Sequence, residues 1–344
     1  MLTQYSEQYP RAGDVAVLCE GDLIGYEAST LRRWADAIVG TSPLVDVWPC
    51  GTASGMLGLS DAVGRSRPIV AIEDRDYREP QEAADDCSRV KADRRSRGVR
   101  VAGWRCWSLN EIENYFLDAA ILTEVMSEGF ACSAADVEQA LSEVIPSLAV
   151  CESVQYALYQ VRRRWEASDT AHHLPDNVSC RPTWDATSCE LQHPSLDAVR
   201  NQLCSNMRRW QERFGPRDQQ QTDSVVSSCL DVFDARSAEW SRVDAGSAVW
   251  RRDWSGKEIL KHLRLVLSAR HAWWEPDARQ RIRVQWTDMN RGERARKDRE
   301  IESALRPLLV RALLGRLKSG PEDAVRREWT EIESVLRNAG ATAP

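Results

Sequence analysis

Acidic side chains that directly follow two apolar runs are the residues of this sequence best suited to chemistry. Asp74 and Asp76 come after the run 69–72, and Glu20 comes after the run 15–19. Such continuous, β-branched runs are typical of strands buried in a parallel sheet. In an extended chain Asp74 and Asp76 point the same way, and paired carboxylates repel each other unless a cation lies between them. The pattern predicts either a divalent-cation site with oxygen ligands or a solvated acidic turn.

A third acidic segment, residues 109–116, carries Glu111 and Glu113. Glu113 is the better candidate ligand, and Glu111 the weaker one, because residues two apart on a helix do not share a face. The alternative is that these acids only favour the positive end of a short helix.

Four apolar runs alternate with three helical patterns over about the first 110 residues. The predicted strands are 14–20, 45–48, 69–72 and 99–107, and the predicted helices are 25–39, 52–63 and 79–97. This order predicts a doubly wound parallel sheet, with the fourth strand near an edge. Sites in such sheets form at the carboxyl ends of the strands, so we expect Glu20, Asp74 and the segment 109–116 to meet there.

Residues after position 117 show a helical period. The predicted helices are 134–148, 153–165, 196–214, 224–240, 256–271, 294–317 and 321–338. Residues 169–194 have no clear period and contain three prolines, which indicates a loop or insertion. The sequence therefore predicts an α/β domain over 1–117, with a parallel sheet flanked by helices, and a mainly α-helical domain over 118–344.

The bulk composition narrows the classes of protein. The chain has 344 residues and a formal net charge of −6, which argues against indiscriminate binding to nucleic acid but not against a local basic patch. No run approaches eighteen apolar residues and residues 1–14 lack a signal-peptide core, so we expect a cytoplasmic protein without a membrane segment. Ten cysteines without a CxxC pair indicate reduced core residues.

Tryptophan is abundant, and many of the fourteen lie among arginines in the second half of the chain. The set comprises Trp250, Trp254, Trp273, Trp274 and Trp286, with Arg251, Arg252, Arg279, Arg281 and Arg283. Aromatic rings and arginines together can stack bases and bind phosphates. Tryptophan is also a common residue of helical cores and interfaces, so both interpretations stay open.

Three motifs, taken together, resemble a known family. Glu20-Gly21, Asp74-Arg75-Asp76 and the segment Ile-Glu-Asn-Tyr at 112–115 look like the TOPRIM domain of topoisomerases, primases and OLD-family nucleases. The sequences of these motifs are most similar to those of the OLD-like TOPRIM group of bacterial defence proteins, which includes the AriB effectors of PARIS systems. The segment 254–260, WSGKEIL, resembles a Gly-Lys element found late in that group. One position departs from the family pattern, because Ile24 stands where the family often has an acid. The alternatives are that Asp22 substitutes for this acid or that a second metal is held less tightly.

The resemblance implies a Mg²⁺- or Mn²⁺-dependent endonuclease that hydrolyses phosphodiester bonds. The implied metal ligands are Glu20, Asp22, Asp74, Asp76, Glu111 and Glu113. The implied catalytic residues are Glu20, Asp74, Asp76, Glu113 and Lys257. Glu20 would also help to deprotonate the nucleophile. Lys257 would neutralise charge on a phosphate, although a lysine in this sequence context is more often an ordinary first-turn residue of a surface helix.

The family context implies partners as well. The chain has no GxxxxGK[ST] motif, so the ATPase half of OLD proteins is missing and a separately encoded ATPase would hold this antiviral effector inactive. The implied substrate is DNA or RNA, including tRNA. A homodimer is consistent with the sequence. The alternative function is a catalytically degenerate, TOPRIM-shaped interaction module that binds a partner protein or nucleic acid.

Overall fold

The computed structural model describes residues 14–21, 25–164, 178, 180–185, 188, 190–214, 219–275 and 279–341. The chain divides into two compact units, the first made of Met1–Val125 and Leu305–Pro344 and the second of Met126–Ala304. The sequence-based division placed all of 118–344 in one helical domain. In the structure the last forty residues group with the sheet, because the final helix packs on it.

The first unit is built on a four-stranded parallel sheet. Its strands are β1 (Val15–Cys19), β2 (Val45–Pro49), β3 (Ile69–Glu73) and β4 (Val101–Cys106). Their order in the sheet is β2-β1-β3-β4, with β1 between β2 and β3. This confirms the predicted parallel sheet flanked by helices, and β4 lies at an edge as its alternating polarity indicated. Every residue of β1 and β3 is buried, as expected for central strands covered on both faces.

Helices cover both faces of the sheet. The helical elements of this unit are α1 (Tyr26–Trp34, continued by a π-helical turn, Ala35–Val39), α2 (Ala53–Val63), α3 (Pro80–Ser96), a 3₁₀ helix (Ile112–Leu117), α4 (Ala119–Phe130), the end of α10 (Arg291–Ser319) and α11 (Ala324–Ala341). Helices α2 and α3 pack with one face, where Leu18, Met56 and Trp104 form part of one apolar cluster. Helix α11 packs against β1, β3 and β4.

A group of aromatic rings anchors α11. The Trp329 ring lies 5.2 Å from the Trp34 ring and 5.2 Å from the Trp107 ring, measured between centroids. All three side chains are buried. Burial of this much aromatic surface explains why the C-terminal helix returns to the sheet domain.

The second unit is mainly helical. Its elements are α5 (Ala134–Arg164), β5 (Thr183–Asp185), β6 (Glu190–Gln192), α6 (Leu196–Phe214), α7 (Gln219–Trp240), α8 (Val249–Asp253), α9 (Gly256–Arg270), β7 (Trp273–Glu275), β8 (Gln280–Ile282) and a 3₁₀ turn (Trp286–Asp288). The helices predicted at 134–148 and 153–165 are one helix, α5, because buried residues such as Cys151 continue the apolar stripe between them. The predicted loop 169–194 holds the antiparallel pair β5 and β6 in its described part.

The core of the second unit joins α5, α6 and α7. Val154, Leu203, Met207 and Phe233 are buried in one apolar cluster, as the helical periodicity of these segments predicts. None of the helices in the described part of the chain is long and apolar enough to span a membrane.

Candidate metal centre

Glu20 lies at the point where β1 ends, held by the neighbouring chain. The Cys50 N–H donates to the Cys19 carbonyl at 2.8 Å, and the Gly51 N–H donates to the Gly21 carbonyl at 2.8 Å. Gly21 has a φ of 80°, a conformation that glycine adopts without strain. The Glu20-Gly21 sequence therefore ends the strand and turns the chain, which leaves the Glu20 side chain partly exposed at the carboxyl edge of the sheet.

The chain turns immediately after β3, which corrects one prediction. The strand ends at Glu73, and Asp76 has a φ of 51°, so the chain is not extended through Asp76. The Arg75 and Asp76 N–H groups both donate to the Asn110 carbonyl, at 3.0 and 3.2 Å. This shared acceptor closes the turn, and it leaves Asp74 buried but Asp76 exposed.

The third acidic segment reaches the same edge, as the sheet topology predicted. Asn110 itself is buried, and its carbonyl bonds the turn after β3. Glu111 is the N-cap residue of the 3₁₀ helix and forms a capping box with Asn114, whose side chain accepts from the Glu111 N–H at 3.1 Å. Glu113 is 2% exposed. Glu111 therefore has a structural role, whereas Glu113 is a buried carboxylate beside the sheet edge.

Glu27 is a further acid that sequence reasoning missed. It lies in the first turn of α1, is 5% exposed, and accepts a hydrogen bond of 2.9 Å from the Trp107 indole N–H. A signal was present, because Glu27, Leu31 and Trp34 share one face of the helix and the other two are core residues. A carboxylate on that stripe had to be buried.

Mutual repulsion shows that these acids lie close together. Burial raises the pKa of Glu20 to about 8, and the carboxylates of Asp74 and Asp76 are the next largest causes. Glu73 adds to this increase, while the Arg78 guanidinium lowers the pKa.

The pKa of Glu27 is raised in the same way. Burial is the largest cause, and the carboxylate of Asp74 is the next. Glu20 and Glu113 also raise this pKa, whereas the hydrogen bond from Trp107 lowers it. Five of these interacting acids, without Glu73, are here called the acidic cluster: Glu20, Glu27, Asp74, Asp76 and Glu113.

The acidic cluster is chemically suited to a hard divalent cation. Its donors are carboxylate oxygens alone, and a bound cation would relieve the repulsion that adds to burial in raising the pKa values of Glu20 and Glu27. Mg²⁺ is usually bound through one or two carboxylates and keeps several waters, so it does not need three protein ligands in contact.

A different group is the closest-packed set of metal-binding side chains in the described residues. The ligand atoms of Glu73, Cys87 and Cys106 all lie within 4.8 Å of one another. Two thiols make this a poor site for Mg²⁺. Glu73 also accepts a hydrogen bond from the Trp104 indole and one from Arg78 at 3.4 Å, so it has a structural role on the α3 side of the sheet.

Two other predicted residues lie elsewhere. Asp22 and Ile24 fall outside the described residues, so the substitution proposed between them stays a prediction. Lys257 belongs to the second unit, in the first turn of α9, where Ser255 caps the helix by accepting from the Glu258 N–H at 3.4 Å. The catalytic role of Lys257 also stays a prediction.

The tryptophans of the second half are mostly core residues. Trp250 and Trp254 are fully buried, and Trp273 and Trp286 are 3% exposed. Buried rings cannot stack on bases, so the base-stacking interpretation is wrong for these four. Trp274, at 44% exposure, is the member of the set whose ring is open to solvent.

Comparison with known proteins adds no relative: no family model, curated protein or solved structure matches the chain.

Proposed function

We propose that the acidic cluster binds Mg²⁺ or Mn²⁺ and that the protein is a metal-dependent nuclease. The observation that carries the proposal is the gathering of Glu20, Asp74 and Asp76 at one sheet edge, where burial and then repulsion by the other two acids raise the pKa of Glu20 to about 8. Clustered carboxylates that raise each other's pKa values are more typical of functional sites than of structural ion pairs. When bound, divalent cations would activate a water and stabilise the departing oxygen of a phosphodiester.

The residues of the cluster divide into two roles. Glu20 and Asp76 are the members that reach solvent, so they meet the substrate side of the site. A bound cation would favour the ionised form of Glu20, whose carboxylate would then accept a proton from the attacking water. Asp74 and Glu113 are buried and would supply carboxylate oxygens that hold the cation. Glu27 is a positioning residue, since its carboxylate is held by the Trp107 indole and interacts electrostatically with Asp74.

The class of nuclease follows from the motifs at the same positions. The resemblance of Glu20-Gly21, Asp74-Arg75-Asp76 and the segment 112–115 to the OLD-like TOPRIM group supports a TOPRIM-type endonuclease, acting on DNA or RNA, including tRNA. The same resemblance supports control by a separate ATPase within an antiviral defence system.

Cleavage assays with matched variants test the proposal. Plasmid DNA and total RNA are incubated with the full chain in Mg²⁺, in Mn²⁺ and in EDTA. We expect cleavage only with a divalent cation, and we expect Glu20→Gln and Asp74→Asn each to lower the rate at least about a hundredfold, because each removes charge that holds the cation. Asp93→Asn is the control, since Asp93 is an exposed residue of α3 that pairs with Arg97.

The same experiment identifies the alternative function. Equal cleavage by wild type and both site variants would assign the activity to another residue or to a contaminant. A protein that cleaves nothing, even with its activating ATPase, while both variants still bind that ATPase, would be the degenerate interaction module instead.

A further inference from the structure

One cavity of the first unit lies along the free edge of β4. Its volume is about 580 Å³, and it is lined by β4 and by residues of α3 and α11. Every residue from Ala102 to Ser108 contributes to the lining. The strand therefore presents its edge, and not only its side chains, to the cavity.

The pairing of β4 with β3 decides which backbone groups face the cavity. Residues of a parallel strand direct their N–H and C=O groups alternately to the two sides. The Trp107 N–H donates to the Glu73 carbonyl at 3.0 Å, so Arg105 and Gly103 also face β3. Trp104 and Cys106 therefore direct their backbone groups outward. In the described chain β4 pairs with β3 alone, which leaves the Trp104 carbonyl and the Cys106 N–H as an adjacent acceptor and donor.

Cations line the two sides of the cavity. Lys91 comes from α3 and Arg327 from α11, and neither forms an ion pair with the rest of the described chain. Burial lowers the pKa of Lys91, and the neighbouring Arg95 guanidinium lowers it further, which indicates positive charge that no anion neutralises.

The acids of the lining do not neutralise these two cations. Glu328 accepts from the Ser108 N–H at 2.9 Å and from the Ser108 hydroxyl at 2.6 Å, so its charge is already engaged. Glu331 lies 3.4 Å from Arg105. The remaining lining is largely apolar, with Ala83, Gly103 and Val335 among its residues.

We propose that this cavity binds a nucleoside phosphate, with the base against the free edge of β4 and the phosphate against Lys91 and Arg327. Each nucleobase has an adjacent donor and acceptor on its Watson–Crick edge, which complements the Cys106 N–H and the Trp104 carbonyl. Lysine and arginine are the usual partners of a phosphate. The inference is independent of the proposed nuclease activity, because it uses none of the five acids.

The size of the cavity argues against inorganic phosphate as its ligand. A volume of about 580 Å³ lies in the range of pockets for small organic ligands and is far larger than inorganic phosphate needs. An acidic peptide added to the edge of β4 would use the same backbone groups, so it is the competing occupant that the experiment has to separate.

Calorimetric titration of the full chain in EDTA tests the proposal. Removing divalent cations keeps phosphates away from the acidic cluster. We expect AMP to bind. Adenosine lacks the phosphate, ribose 5-phosphate lacks the base, and N6,N6-dimethyl-AMP lacks the donor of the base, so we expect each to bind roughly tenfold or more weakly. Lys91→Gln and Arg327→Gln should each weaken AMP binding roughly tenfold, because each removes a charge-assisted hydrogen bond.

Two further variants serve as a filling test and a control. Ala84→Trp places a large ring in the lining and should abolish AMP binding, while circular dichroism checks that the variant is folded. Arg89→Gln removes a cation of the same helix that is 76% exposed and outside the cavity, and should bind AMP as wild type does. The proposal is overturned if AMP does not bind at several millimolar, if Lys91→Gln and Arg327→Gln bind it unchanged, or if a Glu-rich hexapeptide binds in its place.

Discussion

Glu20 illustrates how a carboxylate of the proposed metal site can oppose the stability of its own fold. Its folded-state pKa of about 8 is far above the ordinary value of 4.5, so the folded chain holds this proton more tightly than the unfolded chain does. Between those two pH values the folded state binds more protons than the unfolded state, and stability falls as pH rises. Above pH 8 Glu20 is ionised in the folded state, where burial and repulsion by Asp74 and Asp76 both disfavour its charge, so the loss of stability is complete.

We expect Glu20→Gln to be more stable than wild type in EDTA at pH 8.5, by on the order of 1 kcal/mol or more, and about equally stable at pH 5. Urea denaturation at both pH values measures the difference. Mg²⁺ should reverse the order at pH 8.5, because it stabilises only a folded chain with the intact site. Parallel pH profiles for the two proteins would contradict the assignment of Glu20 to the cluster.

The members of the acidic cluster were not equally visible in the sequence. Glu20 and Asp74 stand out because each follows an unbroken apolar strand, and strand ends converge in a parallel sheet. The orientation of Asp76 was not predictable from alternation, since the turn depends on the carbonyl of Asn110, thirty-four positions away. Glu27 requires knowledge of the Trp107 indole, which only the folded chain places beside it.

At the scale of elements, the return of α11 to the sheet depends on one buried carboxylate as well as on aromatic packing. Glu328 is 6% exposed and accepts hydrogen bonds from Ser108 and from the Tyr115 hydroxyl. Burial raises the pKa of Tyr115, and the negative charge of Glu328 raises it further, so the phenol stays protonated and keeps donating.

We expect Glu328→Gln to lower the free energy of unfolding by about 1–3 kcal/mol, because the amide nitrogen cannot accept and leaves a buried donor unsatisfied. Glu331→Gln is the matched control: Glu331 is on the same helix, 69% exposed, and pairs with Arg105 at the surface, so its loss should change stability by less than about 0.5 kcal/mol. Chemical denaturation of the two variants gives the comparison. Equal losses would mean that the carboxylate of Glu328 does not anchor the helix.

The local sequence predicts the bounds of these elements better than it predicts which elements they pack against. The strands were predicted within about two residues because parallel strands read as continuous apolar runs. Helix α11 was predicted as a helix, but its apolar face, with Trp329, Ile332 and Leu336, fits any apolar surface equally well. Its docking on the sheet follows from a match with Trp34 and Trp107, which lie more than two hundred positions earlier.

At the scale of the whole molecule, the net charge of −6 opposes the approach of a polyanion. The acidic cluster adds negative charge at the place where the proposed function requires a phosphate. Unlike proteins that bind nucleic acid through a broad basic surface, this chain would depend on bound cations to bring the substrate to the site.

We therefore expect the affinity for a DNA or RNA strand to be at least about tenfold higher in Ca²⁺ than in EDTA, since Ca²⁺ accepts the same oxygen ligands. Fluorescence anisotropy of a labelled strand measures both affinities. Glu20→Gln and Asp74→Asn should lose most of the Ca²⁺ effect, whereas Asp93→Asn should keep it, because Asp93 is an exposed residue of α3. A Ca²⁺ effect of equal size in all four proteins would indicate that the cation acts on the nucleic acid or on another surface. In that case the acidic cluster would not be the place where the substrate binds.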